Sequence, residues 1–158
     1  MLVQEATSVL KAVDSSLFTI LARMQLLAKS LPEYSTVREM GGVGNVLAPK
    51  LIAEIGDVRR VHNVKALIAW AGIDPSPYES GQFVGSNRRI TKRGYSTLRK
   101  VGYEVMMVLK SHPVPKDDAV YNYILKKEGE GKSKKHEKIA GLNKFLGIYY
   151  ARVMSVYQ

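Results

Sequence analysis

Along residues 1–31 the apolar positions fall in alternating steps of three and four: Val3, Ala6, Leu10, Val13, Leu17, Ile20, Met24, Leu27 and Leu31. No Pro or Gly interrupts them, so the pattern predicts one long helix with an a/d seam held over four heptads. Such a stripe must be buried. It packs either on the chain's own domain or in an intermolecular or antiparallel coiled coil. Asp14, Ser15 and Ser16 are weak helix formers but lie off the seam. Leu31-Pro32 is the expected end, because proline pushes its predecessor out of the α region.

Beyond it, the pattern predicts a compact helical domain over 32–158. A short helix near Ser35–Met40 leads through Gly41-Gly42-Val43-Gly44 into a helix near Val46–Ile55. Asn45 is its expected N-cap and Gly56 its stop, with Pro49 tolerated in an early turn. Apolar helix, glycine turn and apolar helix over 34–57 match a helix-hairpin-helix element, whose glycines let backbone N–H groups approach a DNA phosphate. A plain αα-hairpin has the same pattern. A third helix near Asn63–Ala71 carries Val64, Leu67, Ile68 and Trp70 toward the core, with an exposed stacking platform as the lesser reading of Trp70, and Gly72 ends it. Residues 72–94 are broken by Pro75, Pro77, Gly81 and Gly85. They form an irregular loop with room for a short β-hairpin around Gln82–Ser86. Thr91 or Gly94 precedes a strong helix over 95–110, whose apolar face is Leu98, Val101, Val105 or Met106, and Leu109. Asp117 and Asp118 are expected to cap a helix reaching about Lys127, and Glu128–Lys135 is a polar loop. A last helix, 136–157, carries the stripe Ile139, Leu142, Phe145, Leu146, Tyr149, Val153 and Val156, with Tyr149, Tyr150 and Tyr157 in the core. The expected fold class is all-α, apart from that hairpin.

Charge changes the picture. The net charge is +10, of which residues 1–57 contribute −1 and residues 58–158 contribute +11. Arg88, Arg89, Lys92, Arg93, Arg99 and Lys100 follow one another with no acid among them. An asymmetry of this size points to phosphate backbones or an anionic membrane surface. Neither a membrane-spanning run nor a signal peptide is visible, so a nucleic acid in the cytoplasm is the expected partner. The cations gather before and within the first turns of the 95–110 helix, against its dipole, a conflict that a bound phosphate neutralises. The absence of cysteine excludes disulfides, thiolate zinc and cysteine nucleophiles. His62, His112 and His136 are too scattered for a paired metal motif. Asp57, Asp74 and Glu79 qualify as metal ligands by type only, and no GxSxG elbow is present. What remains is serine beside arginine. The hydroxyl needs activation, and guanidinium groups can stabilise the charge on an attacked phosphodiester. By composition alone such a stretch is more often a solvated loop.

The run from GGVGNVLAPKLIAEIGD through AGIDPSPYESGQFVGSNRRITKRGYSTLRKV resembles the C-terminal domain of transposases of the insertion-sequence 110 family. The likeness is close over roughly residues 36–110 and looser at KIAGLNKFLGIYYA. It implies DNA transposition through a serine that forms a covalent phosphoserine link to DNA. The family's Y-x-S-G loop falls on Tyr78-Glu79-Ser80-Gly81, which makes Ser80 the implied nucleophile and Ser76 and Ser86 the fallbacks. Tyr78 would shape the loop or donate to phosphate. Arg88, Arg89, Lys92 and Arg93, with Arg99 and Lys100, would hold DNA, and Gly42 and Gly44 would form the hairpin. The resemblance also implies an N-terminal RuvC-like domain whose acids bind divalent metal, a structured guide RNA, and a dimerising coiled coil that residues 1–31 would end. No such acid set precedes the heptads, so the chain is expected to be a C-terminal half or a truncated gene product, with its metal bound elsewhere. Glu79, directly before the serine, departs from the family pattern and acts either as a base or as a repulsive charge. Two other readings fit: a non-catalytic nucleic-acid-binding module, and an oligomerisation domain with a solubilising charge.

Overall fold

The heptad-patterned segment folds as a single helix, α1 (Leu2–Lys29), in the computed structural model of the chain. The structure describes residues 1–75, 79–80, 83–84 and 89–158, with no side chain described from 76 to 88. Helix α1 stops just before Leu31-Pro32, as expected, with Ser30 as C-cap. Every residue from 1 to 20 is exposed, so packing of the whole seam on the chain's own domain is ruled out. Only the last turns dock: Leu21, Met24, Gln25 and Ala28 are covered at helical spacing, against the next two helices.

These are α2 (Tyr34–Arg38) and α3 (Gly44–Ile55). Helix α3 begins at the turn glycine, so Asn45 lies inside it and Val43 takes the N-cap position. The Asn45 side chain accepts instead from Arg38 Nε. Pro49 has no N–H to give the Asn45 carbonyl. Gln25 Nε2 of α1 supplies a replacement donor at 3.4 Å, which ties the two helices together. Gly56 ends α3 at φ 66°, as predicted.

A 3₁₀ turn (Val58–Arg60) leads to α4 (Val64–Trp70), where Asn63 accepts from the Ala66 N–H at 2.9 Å. Two-residue strands β1 (Glu79–Ser80) and β2 (Phe83–Val84) pair antiparallel, with Glu79 opposite Val84. The hairpin therefore sits a few residues earlier than its pattern suggested. Helix α5 (Ser96–Ser111) follows Thr91 and Gly94 as expected, with Tyr95 at its N-cap position. Helices α6 (Ala119–Gly129) and α7 (Lys134–Val156) extend into the predicted polar loop from both sides.

Helix α7 is the centre of the core and touches α2, the 3₁₀ turn, α4, α5 and α6. Its predicted stripe buries Leu142, Phe145, Leu146, Tyr149 and Val153, each contributing roughly 1.5–3 kcal/mol. The facing stripe of α5 buries Leu98, Val101, Leu109 and both Val105 and Met106. Burial pushes the Tyr149 hydroxyl pKa upward. Tyr150 and Tyr157 lie half-buried at the rim, donating to the Val61 carbonyl at 3.1 Å and to Glu33 Oε2 at 2.5 Å. Asp118 stands at the N-cap position of α6 without a side-chain cap bond. Asp117, the other expected cap, faces inward. It accepts from the Gly41 N–H at 2.8 Å and from both terminal nitrogens of Arg152, at 2.6 and 3.0 Å. Its competitor was a bidentate arginine brought over by the fold, and a charge-assisted fork is stronger than a cap.

Candidate nucleic-acid interface

The serine-bearing loop hangs from a clamp made by its own two ends. Residues 71–75 lie against 90–95. The Lys92 N–H donates to the Gly72 carbonyl at 3.0 Å and the Thr91 N–H to the Asp74 carbonyl at 2.9 Å. Thr91 Oγ1 donates to Asp74 Oδ1 at 2.6 Å, and Pro75 bridges Ile90. The Tyr95 N–H reaches back to the Trp70 carbonyl, and an Arg99 guanidinium nitrogen donates to the Ala71 carbonyl at 2.9 Å. This approach needs two glycines. A Cβ on Gly94 would lie 2.3 Å from the Trp70 carbonyl, and one on Gly72 (φ 64°) would lie 2.6 Å from the Gly94 nitrogen. The ends of the loop are thereby fixed beside the first turn of α5.

Four of the six sequence-predicted cations converge here. Arg89, Lys92, Arg99 and Lys100 line a groove of about 710 Å³ along α5. Its far wall is Lys135 and His136 at the start of α7, which the sequence reading did not single out. Tyr103 and Ile139 lie between the walls, and Glu104 is the one acid in the lining among the described residues. Glu104 sits 4.0 Å from Lys50, which offsets part of its charge. Lys92 adopts φ 54°, a left-handed conformation that lysine rarely takes. Arg93 is turned away from the groove and borders a separate hollow with Trp70 and Tyr95. Arg88, Tyr78, Ser76 and Ser86 lie outside the described residues, and Ser80 is placed only as backbone in β1.

The far wall depends on a buried charge. Glu137, in the first turn of α7, is fully buried and pairs with Lys110 of α5 and with Lys138. Burial alone would raise its pKa, but the Lys110 and Lys138 ammonium groups hold the carboxyl below its ordinary range. The Glu137 carboxylate in turn raises Lys110, and Glu128 adds to this. Glu137 precedes Gly141 and Phe145 at helical spacing on the core stripe. That phase relation is the signal from which its burial was readable.

The two hairpin glycines have different surroundings. Gly42 (φ 80°) is buried, and a Cβ there would lie 2.6 Å from the Val105 carbonyl, so its close approach is to α5. Gly44 (φ 60°) is exposed at the start of α3 with nothing near its Cβ position. Trp70 overturns its expected core placement: it is 54% exposed. Helix α4 ends at this residue, while Leu67 takes the buried position one turn earlier, so the indole sits at the rim against Tyr95.

Of the acids weighed as metal ligands, Asp57 is committed to Arg59, with both carboxylate oxygens at 2.9 Å from guanidinium nitrogens. Asp74 is committed to Thr91. Among the described residues no cluster of three or more His, Asp or Glu is placed to hold an ion. The side chain of Glu79, the third acid weighed, lies outside the described residues, and no chemical step is assigned to a metal here. Among the same residues no helix is long and apolar enough to cross a membrane.

The clamp, the glycine turn and the α5 wall fall inside a region of recognisable ancestry. The profile of the Transposase IS116/IS110/IS902 family matches residues 34–122. The chain is 28% identical over 117 residues to the pilin gene-inverting proteins of Moraxella bovis and Moraxella lacunata, an overlap covering 74% of this chain and 35% of each relative. It is 33% identical over 95 residues to the insertion element IS116 uncharacterized 44.8 kDa protein of Streptomyces clavuligerus, covering 60% of this chain and 23% of that protein. The chain thus spans about a third or less of the length of these relatives. With more than half of its residues inside the family profile, the chain belongs to the Transposase IS116/IS110/IS902 family.

Proposed function

We propose that this chain is the DNA-binding C-terminal part of a transposase or recombinase, and that its groove holds a DNA strand beside the Ser80 loop. The observation that carries this reading is the convergence of cations from two helices at the clamp from which that loop hangs. A cationic groove with low-dielectric walls concentrates field on a phosphate backbone. Two relatives are named for inverting a pilin gene. Inverting a gene demands that DNA strands be broken and rejoined, which supports assigning that class of chemistry to this family member.

In this reading Ser80 Oγ attacks a phosphodiester phosphorus. The Oγ–P bond forms as the P–O bond to one deoxyribose oxygen breaks. The serine proton passes to a base, for which Glu79 is the candidate, and the leaving oxygen takes up a proton. The resulting phosphoserine link keeps the phosphate in ester form for rejoining. Arg88 and Arg89 would stabilise the developing charge, while Lys92, Arg99 and Lys100 position the strand. Arg93 and Tyr78 would flank the loop, and Gly44 would offer backbone N–H groups at the start of α3. The free seam of α1 suits a second copy of the chain, and a guide RNA would share the basic surface. The test is a suicide substrate, nicked DNA carrying the element's ends, given to the full-length protein that contains this chain together with its RNA. Ser80→Ala should abolish the covalent protein–DNA adduct and leave DNA affinity within about twofold, since no phosphate-binding charge is removed. An adduct that persists in Ser80→Ala sinks the nucleophile assignment.

A further inference from the structure

Trp70 is the chain's single tryptophan, and the fold leaves it open to solvent. It stands on α4 beside Ala66 and Ala69, whose methyl groups are too small to cover the indole. Tyr95, itself about half exposed, packs against it with ring centroids 6.0 Å apart and planes tilted 47°. Arg93 borders the same hollow, and Asp74 at its edge is already engaged by Thr91. Tryptophan and tyrosine are enriched at interfaces, and here an exposed pair of them stands beside a cation, which makes the hollow a candidate contact surface.

We propose that Trp70 and Tyr95 form a stacking platform for one unpaired base of a DNA strand whose backbone runs past Arg93 into the groove. The proposal rests on the nucleic-acid reading above and deepens it by naming the strand state: single-stranded or locally opened, rather than intact duplex. Charge selects the occupant. Every base has a π-face, and the phosphates on either side of it meet Arg93 and Lys92, which follow one another in the chain. A base does not fit between the two rings, because two stacking distances of about 3.4 Å exceed their 6.0 Å separation. It lies on the indole, and Tyr95 holds that ring in place. A duplex keeps its bases stacked on one another and offers none to the platform. A strand opened for cleavage beside Ser80 offers one.

The single tryptophan makes the test direct. The 158-residue chain is titrated with a fluorescein-labelled single strand of about 12 nucleotides and with the blunt duplex of the same sequence. Anisotropy reads binding, and selectively excited Trp70 emission reads stacking. Quenching by the single strand, and none by the duplex at equal bound fraction, is expected. Trp70→Ala should weaken single-strand binding fivefold or more at every salt concentration without changing the slope of log K on log salt. Trp70→Phe keeps an aromatic face and should lose less, and it covers the case in which the alanine variant misfolds by circular dichroism. Equal quenching by the duplex, or unchanged affinity in a folded Trp70→Ala chain, overturns the platform and leaves salt-dependent binding standing. No salt-dependent binding to either DNA sinks the nucleic-acid reading and the platform with it.

Discussion

Lys92 carries a conflict at the level of one residue. Its φ of 54° puts a lysine in the left-handed region, at a cost of about 1–2 kcal/mol, where glycine would sit without strain. The strain is held by its neighbours, since the Lys92 N–H is fixed on the Gly72 carbonyl and Thr91 on Asp74. Strain kept where a cation lines a groove is the pattern of a residue retained for what it contacts. Lys92→Gly should therefore stabilise the fold. The relief of about 1–2 kcal/mol outweighs the roughly 0.4–1 kcal/mol lost to a more flexible unfolded chain, for a net gain of up to about 1.6 kcal/mol. The same variant should bind DNA more weakly. Lys92→Ala loses the charge but keeps the strain, so it should bind equally weakly without the gain in stability. Urea denaturation midpoints beside anisotropy titrations check the pair. A Lys92→Gly chain less stable than the parent removes the strain argument.

Elements differ in how far the sequence announced them. Helices α1, α3, α5 and α7 were legible because each carries an apolar stripe at helical spacing over several turns, and such stripes survive whatever tertiary partner they meet. What stayed hidden depends on partners distant in sequence: Asp117 captured by Arg152, Glu137 captured by Lys110, and Lys135 brought opposite Lys100. Trp70 was misplaced because periodicity reports which side of α4 a residue lies on and not whether the core still reaches that side at the helix's last residue. The Glu137 tie between α7 and α5 has a definite pH signature. Its folded pKa is depressed, so its contribution is complete above the unfolded value of about 4.3 and fades as pH falls through the folded value. Lys110 is raised, so its contribution is complete below about 10.4 and fades only as pH rises past that. Asp117, also depressed, adds to the acid limb: burial opposes ionisation there, but Arg152 and the Gly41 N–H prevail. Glu137→Gln should cost about 1–3 kcal/mol at neutral pH and show a shallower loss of stability between about pH 5 and 3. Parallel acid limbs in parent and variant count against the tie. For α1, Leu17 is exposed and outside the core, so Leu17→Asp should leave the dilute unfolding midpoint within about 0.5 kcal/mol. Sedimentation should show lost self-association, and an unchanged mass distribution removes the paired-seam reading.

For the whole molecule the decisive quantity is where the +11 of residues 58–158 is focused. Surface lysines spread for solubility would each add the same small increment to DNA affinity wherever they sit. A groove between two walls behaves differently, because a strand lying in it neutralises cations of both α5 and α7 at once. Each phosphate engaged contributes about −0.9 to the slope of log K on log salt for duplex and about −0.7 for a single strand. Lys100 and Lys135 stand on opposite walls, both exposed, and neither has an ion-pair partner within 4.0 Å among the described residues. Lys100→Gln and Lys135→Gln should each make the slope shallower by about 0.7–0.9, and together by about twice that. Lys11→Gln removes the same charge from the exposed part of α1 and should leave the slope unchanged. The three variants share one net charge, so a difference among them reports geometry and not total charge. If Lys11→Gln lowers the slope as much as the other two, the cations act as a diffuse coat and the groove is not the binding site. If Lys100→Gln alone lowers it, the strand lies on α5 and the α7 wall is not engaged.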